Sequence, residues 1–405
     1  MRSILFTFFL LLICKPLFSV EIPNKIRELH KKMLVLDSHL DTPIRLVMPG
    51  FDITERHAHP ADQSQVDLPR MIEGGLDGGF WVVYSPQGAL TQQAYKEVKK
   101  SALRTARTIK KMVSENNKNF SLALTADDAK RIADSGKISV YMSIENAYPL
   151  GTDISNLDEF YELGVRMIGL VHTKNNQFAD SSTDPSGLRW NGLSPLGRKL
   201  VEKANDLGII IDGSHAHDLA LEQMIALSQT PILLSHSGCK AVFEHPRNVG
   251  DSLLLKLKNT GGVIQLNSLG SYLKVIDVPI GRKEIYKKIA ADRARGEIIN
   301  QPMRYRNFVE RFNIMDKKFP KEMASLDHYF AHFRHGLDLL GSAAVGVGAD
   351  WDGGGGVTLM NDISQIPLIT KFLVEQGYGE QDINNIWSGN LLRLLKQAEI
   401  NKAKY

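Results

Sequence analysis

The sequence predicts an α/β protein, a closed (β/α)8 barrel of the TIM type. Eight short apolar segments alternate for the most part with helical segments, which favours a barrel over an open doubly wound sheet. Six of the eight segments are followed by His, Asp or Glu, at the end of the strand where such barrels carry their chemistry. The predicted strands are residues 34–40, 79–84, 138–144, 165–171, 209–212, 231–235, 262–266 and 345–349.

Helical spacing predicts the connecting helices at residues 92–118, 196–207, 219–227 and 252–258. Between Gly270 and His335 the alternation breaks, and two charged helical stretches follow at 282–295 and 303–312. We therefore predict a helical insertion at about residues 270–335, before the last strand. Such an insertion could roof the site, form a subunit contact or be a solvated surface elaboration.

The composition indicates a folded globular chain, since 43% of its 405 residues are apolar and 23% are charged. This length fits one elaborated barrel or two domains, and we predict one domain over residues 20–405. The net charge of +4 comes from scattered Lys and Arg without a basic stripe. A nucleic-acid partner is therefore not expected.

The first 19 residues resemble a secretory signal. Arg2 precedes an apolar run over 4–18, which Lys15 and Pro16 interrupt, and Ser19 offers a cleavage position. We predict an exported protein, periplasmic or secreted; an uncleaved segment would instead give membrane contact. Because Cys14 lies within this segment, the mature chain would hold only one cysteine and no intrachain disulfide.

Five side chains at the predicted strand ends are candidate metal ligands. His39 and Asp41 stand two positions apart, which places both on one face of a strand end. Imidazole nitrogens and carboxylate oxygens in one cavity suit zinc, and five ligands suffice for two ions that share a carboxylate. Two such ions can hold a hydroxide that attacks a carbonyl, so we expect hydrolysis. The candidates are His39, Asp41, Glu145, His215 and His236.

The other histidines have simpler interpretations. Buried imidazoles commonly hydrogen-bond within a core, and His57 and His59, on a polar loop, are expected to be solvated. His217 competes with His215 as a ligand but lies further past its strand. Three histidines share helical spacing and could line one helix face without metal: His328, His332 and His335.

Nucleophile and phosphate-loop chemistry is not favoured. The run Ser235-His236-Ser237-Gly238 lacks the G-x-S-x-G pattern, and Cys239 is interpreted as a buried thiol. Four glycines, Gly353 to Gly356, lack the Lys and Ser/Thr of a phosphate loop. We interpret them as backbone kept bare for a close approach.

These residues lie in a series of short motifs that extends over about residues 33–395. The series resembles the renal or membrane dipeptidase family, binuclear-zinc peptidases within the amidohydrolase superfamily. The motifs are Asp37-Ser38-His39-Leu40-Asp41, Ser143-Ile144-Glu145, Gly169-Leu170-Val171-His172-Thr173, Ala179-Asp180-Ser181-Ser182, Asn191-Gly192-Leu193-Ser194-Pro195, Ile211-Asp212-Gly213-Ser214-His215, Leu234-Ser235-His236-Ser237, Pro246-Arg247-Asn248-Val249 and Gly348-Ala349-Asp350-Trp351-Asp352-Gly353.

The resemblance implies two zinc ions per chain. His39 and Asp41 would bind the first ion, His215 and His236 the second, and Glu145 would bridge them. It also implies dipeptide substrates, tolerance of a D-residue at the C-terminal position, and a homodimer.

The resemblance further implies three roles around the metals. His172 would stabilise the oxyanion, and Arg247 would pair with the C-terminal carboxylate of a dipeptide. Asp350 would take a proton from the bridging water and deliver it to the leaving amine, and could also touch the free amino group of the substrate.

The sequence departs from the family pattern at Gly213-Ser214, where bulkier residues are expected, and in its longer insertion. Both departures bear on the size of the pocket. Two alternatives therefore remain open: another amidohydrolase reaction, such as deacylation of an N-acyl amino acid or lactone opening, and a non-catalytic binding protein on the same fold.

Overall fold

The computed structural model describes residues 21–57 and 62–402, and its parallel barrel confirms the predicted fold class. The described residues form ten strands: β1 Leu36–Leu40, β2 Gly78–Tyr84, β3 Phe120–Leu122, β4 Ile138–Glu145, β5 Val165–Gly169, β6 Ile210–Asp212, β7 Leu233–Cys239, β8 Asn248–Val249, β9 Val263–Leu266 and β10 Val345–Val347. Eight of them make the wall, in the order β1-β2-β4-β5-β6-β7-β9-β10.

The wall closes between its first and last strands. Leu40 bridges to Trp351, just past β10, and the backbone N–H of Asp41 donates to the Trp351 carbonyl at 2.8 Å. All wall pairs are parallel. The carboxyl ends of all eight strands therefore meet at one rim.

Helices cover the outside of the wall, as parallel strands require. The bounds of the first eight are α1 Asn24–Lys32, α2 Pro43–Leu46, α3 Leu68–Gly74, α4 Gln92–Glu115, α5 Ala126–Asp134, α6 Asn156–Leu163, α7 Pro195–Leu207 and α8 Asp218–Leu227. The remaining seven are α9 Asp251–Asn259, α10 Ile280–Ile298, α11 Tyr305–Lys318, α12 Leu326–Leu340, α13 Pro367–Glu375, α14 Glu380–Asn384 and α15 Asn390–Lys402.

Helix α7 shows how local sequence sets these bounds. The Ser194 hydroxyl accepts from the backbone N–H of Gly197 at 2.9 Å, and Pro195 occupies the first helical position. Gly208 ends the helix in a left-handed conformation with φ of 70°. The predicted helix, 196–207, matches within one residue.

The amino-terminal end of the barrel is closed by α15. Seven strands each contribute one buried side chain to an inner layer, and α15 packs against that layer through Leu391, Leu394, Leu395 and Ala398. The layer consists of Leu36, Phe80, Tyr141, Met167, Ile210, Leu233 and Val263. Polar chemistry is thereby confined to the opposite rim.

The sequence-based assignment missed β3 and β8, which have three and two residues, and the carboxyl-terminal helices. Segments this short carry almost no periodicity. The stretch predicted as an insertion holds α10, α11 and much of α12.

The prediction that His57 is solvated is wrong. Its side chain is only 9% exposed, its Nδ1 lies 2.8 Å from Asp62 Oδ2, and its Nε2 lies 2.8 Å from the Asp52 carbonyl. The ring also stacks on Phe51. His59 and the predicted signal at residues 1–19 lie outside the described residues. Every helix of the described chain is too short or too polar to cross a membrane.

A buried histidine far from the strand ends ties α1 to two other helices. His30 Nε2 lies 2.8 Å from the Gly74 carbonyl, and its Nδ1 lies 2.7 Å from the Thr370 hydroxyl. Trp387 Nε1 also donates to that hydroxyl, at 2.8 Å. Burial lowers the pKa of His30 to about 4, so the ring is neutral at pH 7. Because a carbonyl can only accept, the hydrogen of the neutral ring is on Nε2, and Nδ1 accepts from the Thr370 hydroxyl.

We expect this imidazole to make folding stability depend on pH. Below pH 6.5 the unfolded chain protonates His30, whereas the folded chain resists protonation down to about pH 4. The free energy of unfolding should fall as the pH drops through this window, by about 2 kcal/mol at pH 5. Thermal unfolding of wild type and His30→Gln, both with chelator, checks this. A wild-type Tm that falls between pH 7 and pH 5 no more than that of the variant would contradict it.

Candidate metal centre

The five predicted ligands converge at the carboxyl rim of the barrel. They come from the ends of β1, β4, β6 and β7, and each is at most 6% exposed. Closure of the wall is what brings them together, since almost 200 residues separate His39 from His236.

Glu145 stands at the centre of the cluster. Its Oε1 lies 3.1 Å from His215 Nε2, 3.3 Å from His236 Nε2 and 3.7 Å from His39 Nε2. The Nε2 atoms of His215 and His236 are themselves 2.9 Å apart. Imidazoles from the ends of three different strands therefore aim their Nε2 atoms at one carboxylate.

The donor atoms suit divalent metal ions. His39 Nε2 and Asp41 Oδ1 are buried and have no hydrogen-bond partner among the described residues. Leaving such atoms unpaired costs free energy, which a cation would recover. Nitrogen and carboxylate donors in this mixture are those that zinc prefers.

Three overlapping groups of donor atoms lie within 4.8 Å of one another: His39, Glu145 and His236; Glu145, His172 and His215; and His39, Asp41 and Asp350. Glu145 belongs to two of the groups, as expected of a shared ligand. Two further residues, His172 and Asp350, reach ligand distance as well, although the resemblance gave them other roles.

Burial and charge set the protonation states in the cluster. Burial lowers the pKa of His236 to about 3 and that of His215 well below its usual value, so both imidazoles keep a free lone pair. Burial also raises the pKa of Asp350 well above its usual range, and the charges of Asp41 and Glu145 add to this shift. Asp350 thus has a strong affinity for a proton in this environment.

Two of the candidate site residues have an unusual backbone conformation. His215 and Asp350 have φ of 67° and 66°, in the left-handed region that non-glycine residues rarely occupy. The glycine backbone after Asp350 leaves the space that the Asp350 side chain needs in this conformation. A Cβ at Gly353 would lie 2.0 Å from Asp41 Oδ2 and 2.1 Å from Asp350 Oδ1. The group that approaches this glycine so closely is thus the carboxylate pair of the site itself.

His172 lies at the edge of the cluster. Its Nε2 is 3.8 Å from Glu145 Oε1, and its ring is 4.2 Å from that of His215 and 5.0 Å from that of Tyr84. Its side chain is 18% exposed, against 2–8% for the five predicted ligands. Burial lowers the pKa of His172, so the ring is neutral at pH 7 and has one N–H to donate.

Arg247 brings an uncompensated positive charge to the same rim. The residue is 3% exposed, its Nη2 donates to the His236 carbonyl at 2.9 Å, and its Nε has no partner among the described residues. The guanidinium lies 5.2 Å from the ring of Tyr272, and no described carboxylate is within ion-pair distance. Such a buried guanidinium is suited to bind a carboxylate from outside.

Sequence reasoning missed three polar residues of the site. Asn267 Nδ2 lies 3.4 Å from Asp350 Oδ2. Ser235 contacts two imidazoles from behind, and Asp212 accepts from the Ser235 hydroxyl. All three stand at predicted strand ends, a position that could have singled them out.

The remaining candidates lie outside the cluster. His217 instead accepts from the Leu219 N–H at the start of α8, which supports the choice of His215. Cys239 is buried, and burial raises the pKa of its thiol to about 12, so it is not a nucleophile. The helical histidines have separate partners: Ser325 for His328, Cys239 for His332 and Asp251 for His335.

The insertion lies over the glycine loop. Residues of α10 and α11, among them Tyr286 and Phe312, line a cavity of about 550 Å³ together with Gly353–Gly356. The cavity also borders Arg45 and Asp352. The insertion therefore packs beside the loop that follows β10, at the rim of the barrel.

A closed parallel barrel with buried imidazoles and carboxylates at its carboxyl rim defines the class of metal-dependent hydrolases. Residues 23–405 match the family model described as membrane dipeptidase, peptidase family M19. The chain therefore belongs to the membrane dipeptidase family and is a hydrolase, a metallopeptidase of the dipeptidase type.

Named relatives agree with this assignment. Dipeptidase tcpJ of Claviceps purpurea is 26% identical over 355 residues, which cover 86% of this chain and 73% of that protein. Dipeptidase 3 of Rattus norvegicus is 27% identical over 90% of this chain and 65% of its own. The crystal structure of the probable dipeptidase PvdM from Pseudomonas aeruginosa superposes with a TM-score of 0.78 at 30% identity, covering 94% of this chain and all of that one.

Proposed function

We propose that this protein hydrolyses free dipeptides at two zinc ions held by His39, Asp41, Glu145, His215 and His236. The buried, carboxylate-free guanidinium of Arg247 beside the ligand cluster is the observation that carries this proposal. A dipeptide places its terminal carboxylate one residue from the scissile carbonyl, so a fixed cation near the metals selects short substrates.

The zinc ions would supply a nucleophilic hydroxide at neutral pH and polarise the carbonyl. Arg247 binds and orients the C-terminal carboxylate. The neutral His172 donates an N–H to the carbonyl oxygen as it gains negative charge. Asp350 accepts the proton of the attacking water as the C–O bond forms, and it transfers this proton to the nitrogen of the leaving amine as the C–N bond then breaks.

Amino-acid release from a panel of L,L and L,D dipeptides, their N-acetylated counterparts and tripeptides tests this function, before and after chelation and zinc re-addition. We expect zinc-restored cleavage of free dipeptides, including those with a C-terminal D-residue. If the fully metallated protein cleaves none of the dipeptides, the proposal fails. N-acyl amino acids and lactones would then be the next substrates to assay.

Arg247→Ala should raise KM for dipeptides by about 30- to 1,000-fold, equivalent to about 2–4 kcal/mol, because the substrate carboxylate loses its partner. The turnover number should change much less. A neutral ester is the matched control substrate, and its KM should hardly move. Equal effects on both substrates would exclude the carboxylate clamp and favour a lactonase-like reaction.

Export and a homodimer belong to the same proposal, with membrane contact only if the N-terminal segment is retained. The sequence of residues 1–19 supports export, and the family resemblance supports the dimer. Cell fractionation and light scattering of the purified protein would test the two separately.

A further inference from the structure

A single hydroxyl lies behind both halves of the predicted metal centre. Ser235 Oγ is 2.8 Å from His236 Nδ1 and 3.3 Å from His39 Nδ1. One of these imidazoles belongs to the first predicted zinc site and the other to the second. The same hydroxyl is 2.5 Å from Asp212 Oδ2.

The hydrogen bonds of this hydroxyl have only one consistent assignment. A serine hydroxyl carries one hydrogen, and the short distance to a carboxylate oxygen requires that this hydrogen goes to Asp212. The lone pairs of Ser235 Oγ then accept, so the facing Nδ1 atoms of His236 and His39 must both carry a hydrogen. The Nε2 atoms of both rings then face Glu145, and each holds a free lone pair when its ring is neutral.

The carboxylate of Asp212 is itself held in place. Its Oδ1 accepts the backbone N–H groups of Ser214 and Ser235, each at 2.9 Å, and the residue is 4% exposed. Its orientation is therefore set by the ends of β6 and β7, and only Oδ2 is available to the hydroxyl.

We propose that Asp212 and Ser235 are positioning residues that hold His39 and His236 in the tautomer able to bind metal, and so couple the two zinc sites. The inference rests on the proposed metal centre but not on the identity of the substrate. A metal-ligating imidazole needs one unprotonated nitrogen toward the metal, and the partner of its other nitrogen selects which one.

Asp212→Asn is the sharpest test. An asparagine that keeps Oδ1 on the two backbone N–H groups turns its NH2 toward Ser235, whose hydroxyl must then donate to an imidazole. That reverses the tautomer of His236 while keeping the shape of the site. We expect zinc affinity to fall by about 10- to 100-fold, measured on chelator-stripped protein against a chromophoric zinc chelator.

Ser235→Ala should lower the zinc affinity of both sites by a similar factor. Ser237→Ala is the matched control, because this buried neighbour on β7 contacts the Ser214 hydroxyl at 3.4 Å, and no contact of its hydroxyl with an imidazole is found among the described residues. The Tm of each metal-free variant shows whether the protein is still folded. It therefore distinguishes loss of the hydrogen bonds among Asp212, Ser235 and the imidazoles from loss of the fold. Wild-type zinc affinity in folded Asp212→Asn and Ser235→Ala would overturn the inference.

Nitrogen-15 NMR of histidine-labelled, metal-free wild type tests the tautomers without any variant. We expect a hydrogen on Nδ1 of both His39 and His236, and an unprotonated Nδ1 at either would overturn the inference. A protein that shows this pattern and binds two zinc ions but cleaves no dipeptide would refute only the proposed function.

Discussion

Replacing Glu145 by glutamine is expected to remove most of the bound metal and to reduce dipeptide hydrolysis by at least about 10⁴-fold. The Oε1 of Glu145 is the atom on which three ligand imidazoles converge, at 3.1–3.7 Å. An amide carries no charge, and its NH2 can bridge no cations. The variant thus loses the shared ligand and leaves the imidazoles facing a hydrogen-bond donor.

Metal content by elemental analysis and kcat/KM for a dipeptide measure this effect. Glu159→Gln is the matched control, because that side chain is 41% exposed and pairs with Lys99 and Arg107 on the surface. It should keep both metal and activity, since exposed ion pairs contribute little. Unchanged metal content and activity in Glu145→Gln would refute the assignment of the metal centre.

Asp350→Asn is expected to lower kcat by about 10²- to 10⁴-fold with both metals retained, which is the range for loss of a general acid–base group. Burial and the charges of Asp41 and Glu145 raise the pKa of Asp350, so this carboxyl readily accepts a proton. The amide of asparagine has the same shape but cannot carry the proton. The contact with Asn267 supports the side chain from one side.

Asp352 offers a control within the same motif. Its carboxylate accepts from the Thr42 hydroxyl and the Gln65 N–H, both at 2.9 Å, and its side chain is fully buried. Asp352→Asn should therefore lower the Tm and change kcat of the folded protein by less than about threefold. If Asp350→Asn turned over substrate like wild type, the proton-transfer role would be wrong.

Much of the barrel could be predicted because a parallel strand buried on both faces is a nearly continuous apolar run. The predicted strand 138–144 ends one residue before β4 does, and the predicted 165–171 begins at the first residue of β5. Strands β3 and β8 could not be predicted, because pairing with a neighbour, rather than their own sequence, makes them strands.

The surroundings of individual side chains were also difficult to predict from the sequence. His57 stands in a polar stretch, yet the contacts with Asp52 and Asp62 remove it from water. Gly353 was recognised as bare backbone, but the two carboxylates that need the space come from opposite ends of the chain. Contacts between side chains of irregular loops leave no periodic pattern in the sequence.

The order of residues along the chain was enough to predict the family and eight of the strands and to propose the metal ligands, because apolar runs and short motifs are local properties. Which candidate ligands face Glu145, which nitrogen each imidazole presents and why Arg247 has no carboxylate partner among the described residues were decided only when the barrel closed. Those properties depend on distances between residues up to 312 positions apart, as in the contact of Asp37 with Ala349, and burial then sets their charge.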